Sequence, residues 1–184
     1  MAAAEARMWE LLPGGVDGVE LAPVAPLGTC SAIGPVSQNR IVSAMRSVEV
    51  VSDPTNALAI EAADRRLRRR ADGPVHLAAS HRVLRAQRFG PGMSSHFRLF
   101  ALVSSGRDGG SGRTEAGMLR LHLGYWRRGR GYYVGAAVRI TAGSDAAVEL
   151  GDGGFTTWTA QLMGDAKERC LISCLAMDRL VTLM

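Results

Sequence analysis

The chain has 184 residues, enough for one domain with its own hydrophobic core, and we predict a single domain over 1–184. With 47% hydrophobic and 21% charged residues, its composition is typical of a globular protein and excludes a disordered, collagen-like or coiled-coil chain. The formal net charge is +5, but of the 22 basic residues only Lys167 is lysine, a bias typical of GC-rich genomes, so the charge alone does not indicate nucleic-acid binding.

The N-terminal part of the sequence predicts short elements separated by turn residues. In chain order these are a helix over 5–12, a strand over 19–22, an irregular crossing or lid over 26–47, a strand over 48–51, a turn over 53–56, and a second strand running into a basic helix over 57–70. The first helix is expected to stop at Pro13, which two glycines follow.

Two longer stretches, over 75–87 and 97–104, alternate as antiparallel strands do. Between them, residues 88–95 form a hairpin loop that is too long for a two-residue turn. The glycine-rich residues 106–113 lack the Gly-Lys-Ser/Thr ending of a phosphate-binding loop. We therefore expect a flexible linker there, leading into a helix over 114–125.

The C-terminal part predicts strands followed by helices. In chain order these elements are a strand over 132–141, a strand over 147–150, a glycine turn over 151–154, a helix over 157–163 and a helix over 171–184. The last pattern is apolar almost all round, which indicates a buried helix. Helices at both ends and in the middle of a mostly antiparallel set of strands predict an α+β fold, with a mostly antiparallel sheet flanked by helices.

No apolar stretch has the roughly 18–20 residues that a membrane span requires, and the first residues lack the basic-then-apolar order of a secretory signal. We expect a cytoplasmic protein that does not associate with membranes. The cysteines are expected to be reduced, since Cys30 stands alone and a bridge between Cys170 and Cys174 is awkward in a helix. No histidine or second cysteine pair completes a zinc set, so no metal site is predicted.

Common catalytic motifs are absent, including Gly-x-Ser-x-Gly, His-Glu-x-x-His and Gly-x-Gly-x-x-Gly after a strand. Arginines occur instead on predicted strands and in the last predicted helix, namely Arg82, Arg85, Arg98, Arg139 and Arg179. Arginine is seldom buried without a partner, so Arg179 in an apolar helix is expected to be buried against something anionic. That partner is either a carboxylate such as Asp178 or Glu168, or an anionic ligand.

Several segments, taken in order, resemble the class II aminoacyl-tRNA synthetase core. The similarity is to the histidyl-tRNA synthetase branch, with the related regulatory subunit of ATP phosphoribosyltransferase. Residues 8–23 resemble the first motif of that fold, which implies a homodimer interface. RVLRAQ (82–87) and FRLF (97–100) resemble the second motif, an antiparallel hairpin, and the resemblance implies that Arg82 grips the α-phosphate of ATP.

The resemblance continues in two C-terminal segments. RGRGYY (128–133) is similar to the histidine-recognition stretch, which the family writes Arg-Gly-Leu-Asp-Tyr-Tyr. AMDRL (176–180) is similar to the third motif, a helix whose arginine holds the γ-phosphate side of ATP. The resemblance therefore implies a cleft, floored by the sheet, whose ligand-binding residues are Arg82, Arg98, Arg128, Tyr132, Tyr133 and Arg179.

Departures from the family pattern change the expected activity. The acidic residue that should contact the adenine amine, two positions after Arg82, is Leu84, and the Asp before the paired tyrosines is Gly131. Residues 173–176 lack the glycines that open the third motif to ATP. The resemblance implies ATP and Mg²⁺ as cofactors, whereas these departures argue against both and against amino-acid activation, so no catalytic residue is assigned.

Three functions are compatible with these residues. The first is a stand-alone, homodimeric synthetase-like paralogue without aminoacylation activity, which binds a small anionic ligand, an amino acid or a nucleotide, in a regulatory role. The second is an ATP-dependent ligase or acyl-transfer enzyme that activates a small carboxylic acid through Arg82 and Arg179. The third is an RNA-binding module that uses the arginine run over 65–70, although no aromatic platform accompanies that run.

Overall fold

The computed structural model describes residues 1–69, 73–91, 93–125, 134–143 and 148–183. In chain order the elements are α1 (Ala2–Glu10), β1 (Asp17–Gly18), β2 (Val24–Pro26), α2 (Thr29–Ile33), a 3₁₀ helix (Gln38–Arg40), β3 (Ser43–Met45), β4 (Val48–Val50), α3 (Pro54–Arg69), β5 (Val75–Leu84), β6 (His96–Arg107), α4 (Arg113–Tyr125), β7 (Ala137–Ala142), β8 (Val148–Thr156), α5 (Trp158–Met163), β9 (Glu168–Ala176) and α6 (Met177–Val181). None of the described helices combines the length and hydrophobicity that a membrane crossing requires.

The main sheet has the strand order β1-β5-β6-β9-β8-β7, and its pairs are antiparallel except for β1 with β5. β5 and β6 form a long hairpin, paired from Val75 with Ser105 to Leu84 with His96. The short strands form a second sheet in the order β2-β4-β3. The predicted α+β class and its mostly antiparallel sheet are confirmed.

Successive side chains of each strand point to opposite faces of the main sheet. One face carries Leu77, Ala101 and Ile172, which pack against α3 and α5. We name it the α3 face. The other carries Phe100 and Leu175, which pack against α1 and α6, and we name it the α1 face. Helices thus cover the sheet on both sides, with an apolar core on each, and Met118 of α4 forms a further cluster with Phe155 and Leu171.

The helix predicted over 171–184 is wrong, since the structure has strand β9 followed by the short helix α6. β9 lies between β6 and β8 and is buried on both faces, so its apolar side chains follow no two-residue period. Cys170 and Cys174 consequently lie on a strand, and both are free thiols. Arg179, expected to be buried in that helix, is exposed.

The glycine turn predicted over 151–154 is also wrong, because these residues lie inside β8. A Cβ at Gly151 would overlap the carbonyl oxygen of Cys174, and one at Gly153 would lie 2.5 Å from Cβ of Ser173. The glycines therefore allow β8 to approach β9 where a side chain would not fit.

No strand begins the segment 57–70, because α3 already starts at Pro54. The carboxylate of Asp53 caps this helix: Oδ1 accepts the backbone N–H of Thr55 at 2.9 Å and its hydroxyl at 2.7 Å. Proline in the first turn loses no helical hydrogen bond. The turn predicted over 53–56 is thus the first turn of the helix.

The N-terminal region differs from its predictions in extent. The strand expected over 19–22 is instead the two-residue β1, continued by one hydrogen bond from Val19 N–H to the Ala78 carbonyl at 2.8 Å. The segment 26–47, expected to be irregular, contains α2, the 3₁₀ helix and β3.

The fully buried carboxylate of Glu49 organises this segment. It accepts the N–H groups of Gly28 at 2.7 Å and Cys30 at 2.8 Å, and the side-chain amide of Gln38 at 2.7 Å. Burial by itself raises the pKa of Glu49, but these hydrogen bonds outweigh burial and leave the pKa below its ordinary value. Glu49 is therefore ionised at neutral pH and ties the chain before and after α2 to β4.

A hydrogen-bonded chain on the α1 face fixes α4 to the sheet. Nδ1 of His76 lies 2.7 Å from Oγ of Ser104, which lies 2.9 Å from Nε2 of His122. Nδ1 of His122 lies 2.9 Å from Oγ of Ser173. Burial, with a smaller contribution from His76, lowers the pKa of the fully buried His122 to about 3. His122 is therefore neutral at physiological pH.

Candidate ligand-binding site

A cleft of about 600 Å³ lies on the α3 face, at the end of the sheet where β9 ends and α3 begins. Leu99, Cys174 and Asp152 form its floor. Three arginines line it: Arg40 at the end of the 3₁₀ helix, Arg85 after β5 and Arg179 in α6. We call it the Arg85 cleft. Because Arg85 follows β5 and Arg179 contacts β8, the cleft crosses the two strands between them, β6 and β9.

Three groups hold Arg85 in place. Its Nε donates to the Ser52 carbonyl oxygen at 3.0 Å, and its Nη2 lies 3.5 Å from Oδ2 of Asp53. The guanidinium carbon lies 5.2 Å from the centre of the Phe97 ring, within cation–π range. The side chain is 29% exposed, and Nη1 has no hydrogen-bond partner among the described residues. Arg85 is thus oriented while keeping donors for an external anion.

Aromatic rings lie beside this arginine at the mouth of the cleft. The rings of Phe89 and Phe97 pack edge to face, with centres 6.2 Å apart and an angle of 79° between their planes. Gln87 also lines the cleft here. An aromatic pair next to an amide is suited to stacking a planar group and forming hydrogen bonds to its edge.

Backbone contacts hold α6 and Arg179 at the other end of the cleft. Nη1 of Arg179 donates to the Glu149 carbonyl oxygen at 2.8 Å. The neighbouring Asp178 accepts the backbone N–H of Arg98 at 2.6 Å, which fixes the first turn of α6 on β6. Arg179 is therefore positioned at the rim by the two strands that border α6.

Charged groups surround the thiol of Cys174 on the floor. Burial raises the pKa of this thiol, the charges of Asp53 and Asp152 raise it further, and the charge of Arg85 lowers it. The thiol stays protonated at neutral pH and is not a nucleophile there.

Of the predicted site residues that the structure describes, Arg179 alone lines the Arg85 cleft. Arg82 lies on the opposite, α1 face, where it is exposed and pairs in register with Arg98. The predicted site residues Arg128, Tyr132 and Tyr133 lie outside the described residues.

Arg98 is placed on the α1 face by the same strand alternation. Its Nη1 donates to Oε1 of Glu5 at 2.7 Å and to Oγ of Ser80 at 3.2 Å, so the guanidinium joins α1 to β5. Arg82 and Arg85 are three residues apart, and an odd separation along an extended chain reverses the direction of the side chain. Because the cleft lies on the α3 face, this rule selects Arg85 rather than Arg82 as the arginine of the hairpin that faces it.

The described arginine side chains of the run in α3 form ion pairs within the chain. These ion pairs are Arg65 with Glu61 and Asp17, Arg66 with Glu168, and Arg68 with Asp64. Guanidinium groups bound in this way are less available for phosphates of a nucleic acid. The arginine run therefore gives less support to the RNA-binding hypothesis than the sequence alone does.

The charged side chains of the Arg85 cleft limit the kinds of ligand that it can hold. Arg85 and Arg179 present guanidinium donors. In the described part of the chain, no group of three or more His, Cys, Asp or Glu side chains is arranged to hold a metal ion. The guanidinium donors of the cleft suit an anionic group.

No protein-family model and no curated protein matches the sequence. Similar solved structures include pyrrolysyl-tRNA synthetase from Desulfitobacterium hafniense, with a TM-score of 0.69 and 14% identity over 99% of this chain and 67% of that chain. A second pyrrolysyl-tRNA synthetase structure from that organism has a TM-score of 0.69 and 13% identity, over 97% of this chain and 63% of its own. The chain has the class II aminoacyl-tRNA synthetase catalytic fold and spans about two thirds of these proteins. Similarity to pyrrolysyl-tRNA synthetases does not confirm the predicted similarity to the histidyl-tRNA synthetase branch.

Proposed function

We propose that this chain is a class II synthetase-like protein without aminoacylation activity, which binds a small anionic ligand, an amino acid or a nucleotide, in the Arg85 cleft. The observation that carries the proposal is that Arg85 and Arg179 line one cleft of about 600 Å³. Two guanidinium groups at the two ends of a concave site favour a ligand with an anionic group.

The identity of the first arginine bears on the choice of ligand. The resemblance to the second motif places Arg82 on the α-phosphate of ATP and Leu84 at the adenine amine. In the cleft, the pair with the same spacing is Arg85 and Gln87. An amide oxygen accepts a hydrogen bond from an amine, which Leu84 cannot do. With Gln87 as the residue two positions after the arginine of the cleft, Leu84 no longer argues against binding of a nucleotide.

The proposed lack of aminoacylation rests on β9, the strand that leads into the segment similar to the third motif. Ser173, Cys174 and Ala176 stand in the region where the resemblance implies glycines. Cys174 and Ala176 line the cleft, so their side chains take space that glycines would leave open to ATP. A protein that binds its ligand without activating it for transfer is suited to a regulatory or ligand-sensing role.

The predicted homodimer and cytoplasmic location remain proposals. The apolar side chains of Trp9 and Leu12 in this segment do not add support for a dimer, because both pack within the chain against the core of the α1 face. The Trp9 and Phe100 ring centres are 4.8 Å apart. The homodimer therefore rests on the resemblance of residues 8–23 to the first motif, and sedimentation at micromolar concentration tests it.

Calorimetric titration of ATP, AMP and the standard amino acids against Arg85→Met tests the binding proposal. Arg82→Met is the matched control, because it removes the same charge from the opposite face of the same hairpin. We expect Arg85→Met to weaken binding at least about tenfold, the loss of one charged hydrogen-bonding partner, and Arg82→Met to leave binding unchanged. Equal affinities of the two variants would contradict the proposal.

An ATP-dependent ligase that activates a small carboxylic acid is the second candidate, and Gln87 beside Arg85 favours it. Amino-acid-dependent exchange of pyrophosphate into ATP separates the two candidates. We expect no exchange above background with histidine or any other standard amino acid. Exchange that is robust and lost in Arg85→Met would put the ligase first.

A further inference from the structure

The Arg85 cleft contains an anionic group of its own close to the arginine. Oδ2 of Asp53 lies 3.5 Å from Nη2 of Arg85, longer than the 2.7–2.9 Å typical of a charge-assisted hydrogen bond. The other oxygen, Oδ1, is occupied in capping α3 through Thr55. The Asp53 side chain is 19% exposed and lines the cleft, so its charge acts on whatever binds there.

A second carboxylate, Asp152, lies on the cleft floor next to Cys174. Asp152 is on β8, the strand that Arg179 contacts, so of the two carboxylates Asp53 is the one next to Arg85. An anion bound by Arg85 is attracted by the arginines that line the cleft and repelled by Asp53. Because Coulomb energy is proportional to ligand charge, the repulsion grows with each negative charge that the ligand carries.

We propose that Asp53 is a specificity-determining residue of the Arg85 cleft, whose charge offsets that of Arg85 and selects against ligands with a large net negative charge. This inference rests on the proposed function. Free polyphosphates are then the ligands most strongly disfavoured. A ligand of small net charge, in which a positive group balances the group bound by Arg85, is accepted.

A merely structural role for Asp53 has the opposite consequence. If the carboxylate only orients Arg85, its removal lets the guanidinium move and weakens anion binding. Nε of Arg85 is, however, held independently by Ser52, and its flat face lies over Phe97. Removing the Asp53 charge therefore leaves the arginine in place, and the sign of the effect on affinity decides between the two roles.

Asp53→Asn is the decisive variant, because an asparagine oxygen can still cap Thr55 while the charge is removed. Asp64→Asn is the matched control, since Asp64 pairs with Arg68 on the outer side of the same helix. The probes are acetate, inorganic phosphate and inorganic pyrophosphate, titrated at constant ionic strength. Urea unfolding verifies that each variant folds, and Asp53→Ser, which also keeps a capping oxygen, replaces Asp53→Asn if it does not.

We expect Asp53→Asn to raise affinity by about fourfold for each negative charge of the probe, the value for unit charges about 5 Å apart in water. The gain is then largest for pyrophosphate and smallest for acetate, and Asp64→Asn shows none. Equal or weaker binding by Asp53→Asn overturns the inference. A double variant, Asp53→Asn with Arg85→Met, distinguishes failure of this inference from failure of the proposed function. If it binds the probes as well as Asp53→Asn does, the proposed function is contradicted. If binding is lost, the proposed function stands.

Discussion

Two arginine–carboxylate pairs lie at opposite ends of α3 and differ in how fully they are bonded. Near the C-terminal end of the helix, Arg66 makes hydrogen bonds of 2.6 and 3.2 Å to Glu168, and the two side chains are 6% and 1% exposed. Near the N-terminal end, Arg85 and Asp53 are 3.5 Å apart and 29% and 19% exposed.

The difference shows that the same two residue types form a fully bonded pair at one end of the helix and a partly bonded pair at the other. Nη1 of Arg66 also donates to the Gly73 carbonyl at 2.7 Å, so this guanidinium is bonded on all three nitrogens. A buried pair bonded in this way has no capacity for a ligand, and breaking it strands a charge. The half-exposed Arg85 retains donors that a ligand can use.

The largest effect on the free energy of unfolding is expected from breaking the buried pair of Arg66 and Glu168. Arg66→Met leaves Glu168 buried without its counter-ion, which should lower the free energy of unfolding by roughly 3–5 kcal/mol. Urea unfolding at pH 7 measures the loss. Arg68→Met, which removes an exposed helix pair, should cost less than about 1 kcal/mol. Similar losses in both variants would show that the buried pair is not special.

The buried interior can also be destabilised without mutation, by protonating His122. Its pKa is about 3 in the folded chain and roughly 6.5 when unfolded. Between these values the unfolded chain binds one more proton, so stability decreases as pH falls. The expected slope is about 1.4 kcal/mol per pH unit, or about 2 kcal/mol between pH 6.5 and 5.

Urea unfolding at pH 7, 6 and 5 measures this slope. His122→Asn is the control, because it removes the titrating ring and should flatten the pH dependence, whatever its effect at pH 7. Burial lowers the pKa of His76 and His81 too, so these residues leave a smaller slope of the same sign. A slope unchanged in His122→Asn would rule out its assignment to His122.

The smallest effect on the free energy of unfolding is expected from replacing Arg179, at the rim of the Arg85 cleft. Arg179 is exposed and makes one hydrogen bond, to the Glu149 carbonyl. Arg179→Met should change the free energy of unfolding by less than about 0.5 kcal/mol. We expect it to weaken ligand binding severalfold in the calorimetric titration. A large loss of stability with unchanged binding would make Arg179 a structural residue like Arg66.

Local patterns predicted the fold well where one face of a strand differs from the other. Alternation predicts β5 and β6, and helices are predicted at α1, which has a stop signal at Pro13, and at α4 and α5. β9 could not be identified in this way, because burial on both faces removes the alternation that distinguishes a strand from a buried helix.

The candidate site was only partly predictable. Arg179 is predicted from the sequence and lines the cleft, whereas the resemblance to the second motif points to Arg82 and not to Arg85, since the sequence does not specify which face of the hairpin borders the cleft. Asp53 and Arg85 are 32 positions apart, and no local pattern connects them. The long-range pairing of β9 with β6 and β8, which forms the cleft floor, is likewise set by tertiary packing rather than by propensity.

Close contact between β8 and β9 also limits what mutation can do to the cleft floor. Gly151 and Gly153 adjoin Cys174 and Ser173 with no space for a Cβ, so even alanine would force the two strands apart. A library randomised at positions 151 and 153 should return glycine at both when selected for folding. New ligand preferences are therefore more easily engineered through the walls of the cleft, at Asp53 or Gln87, than through this part of its floor.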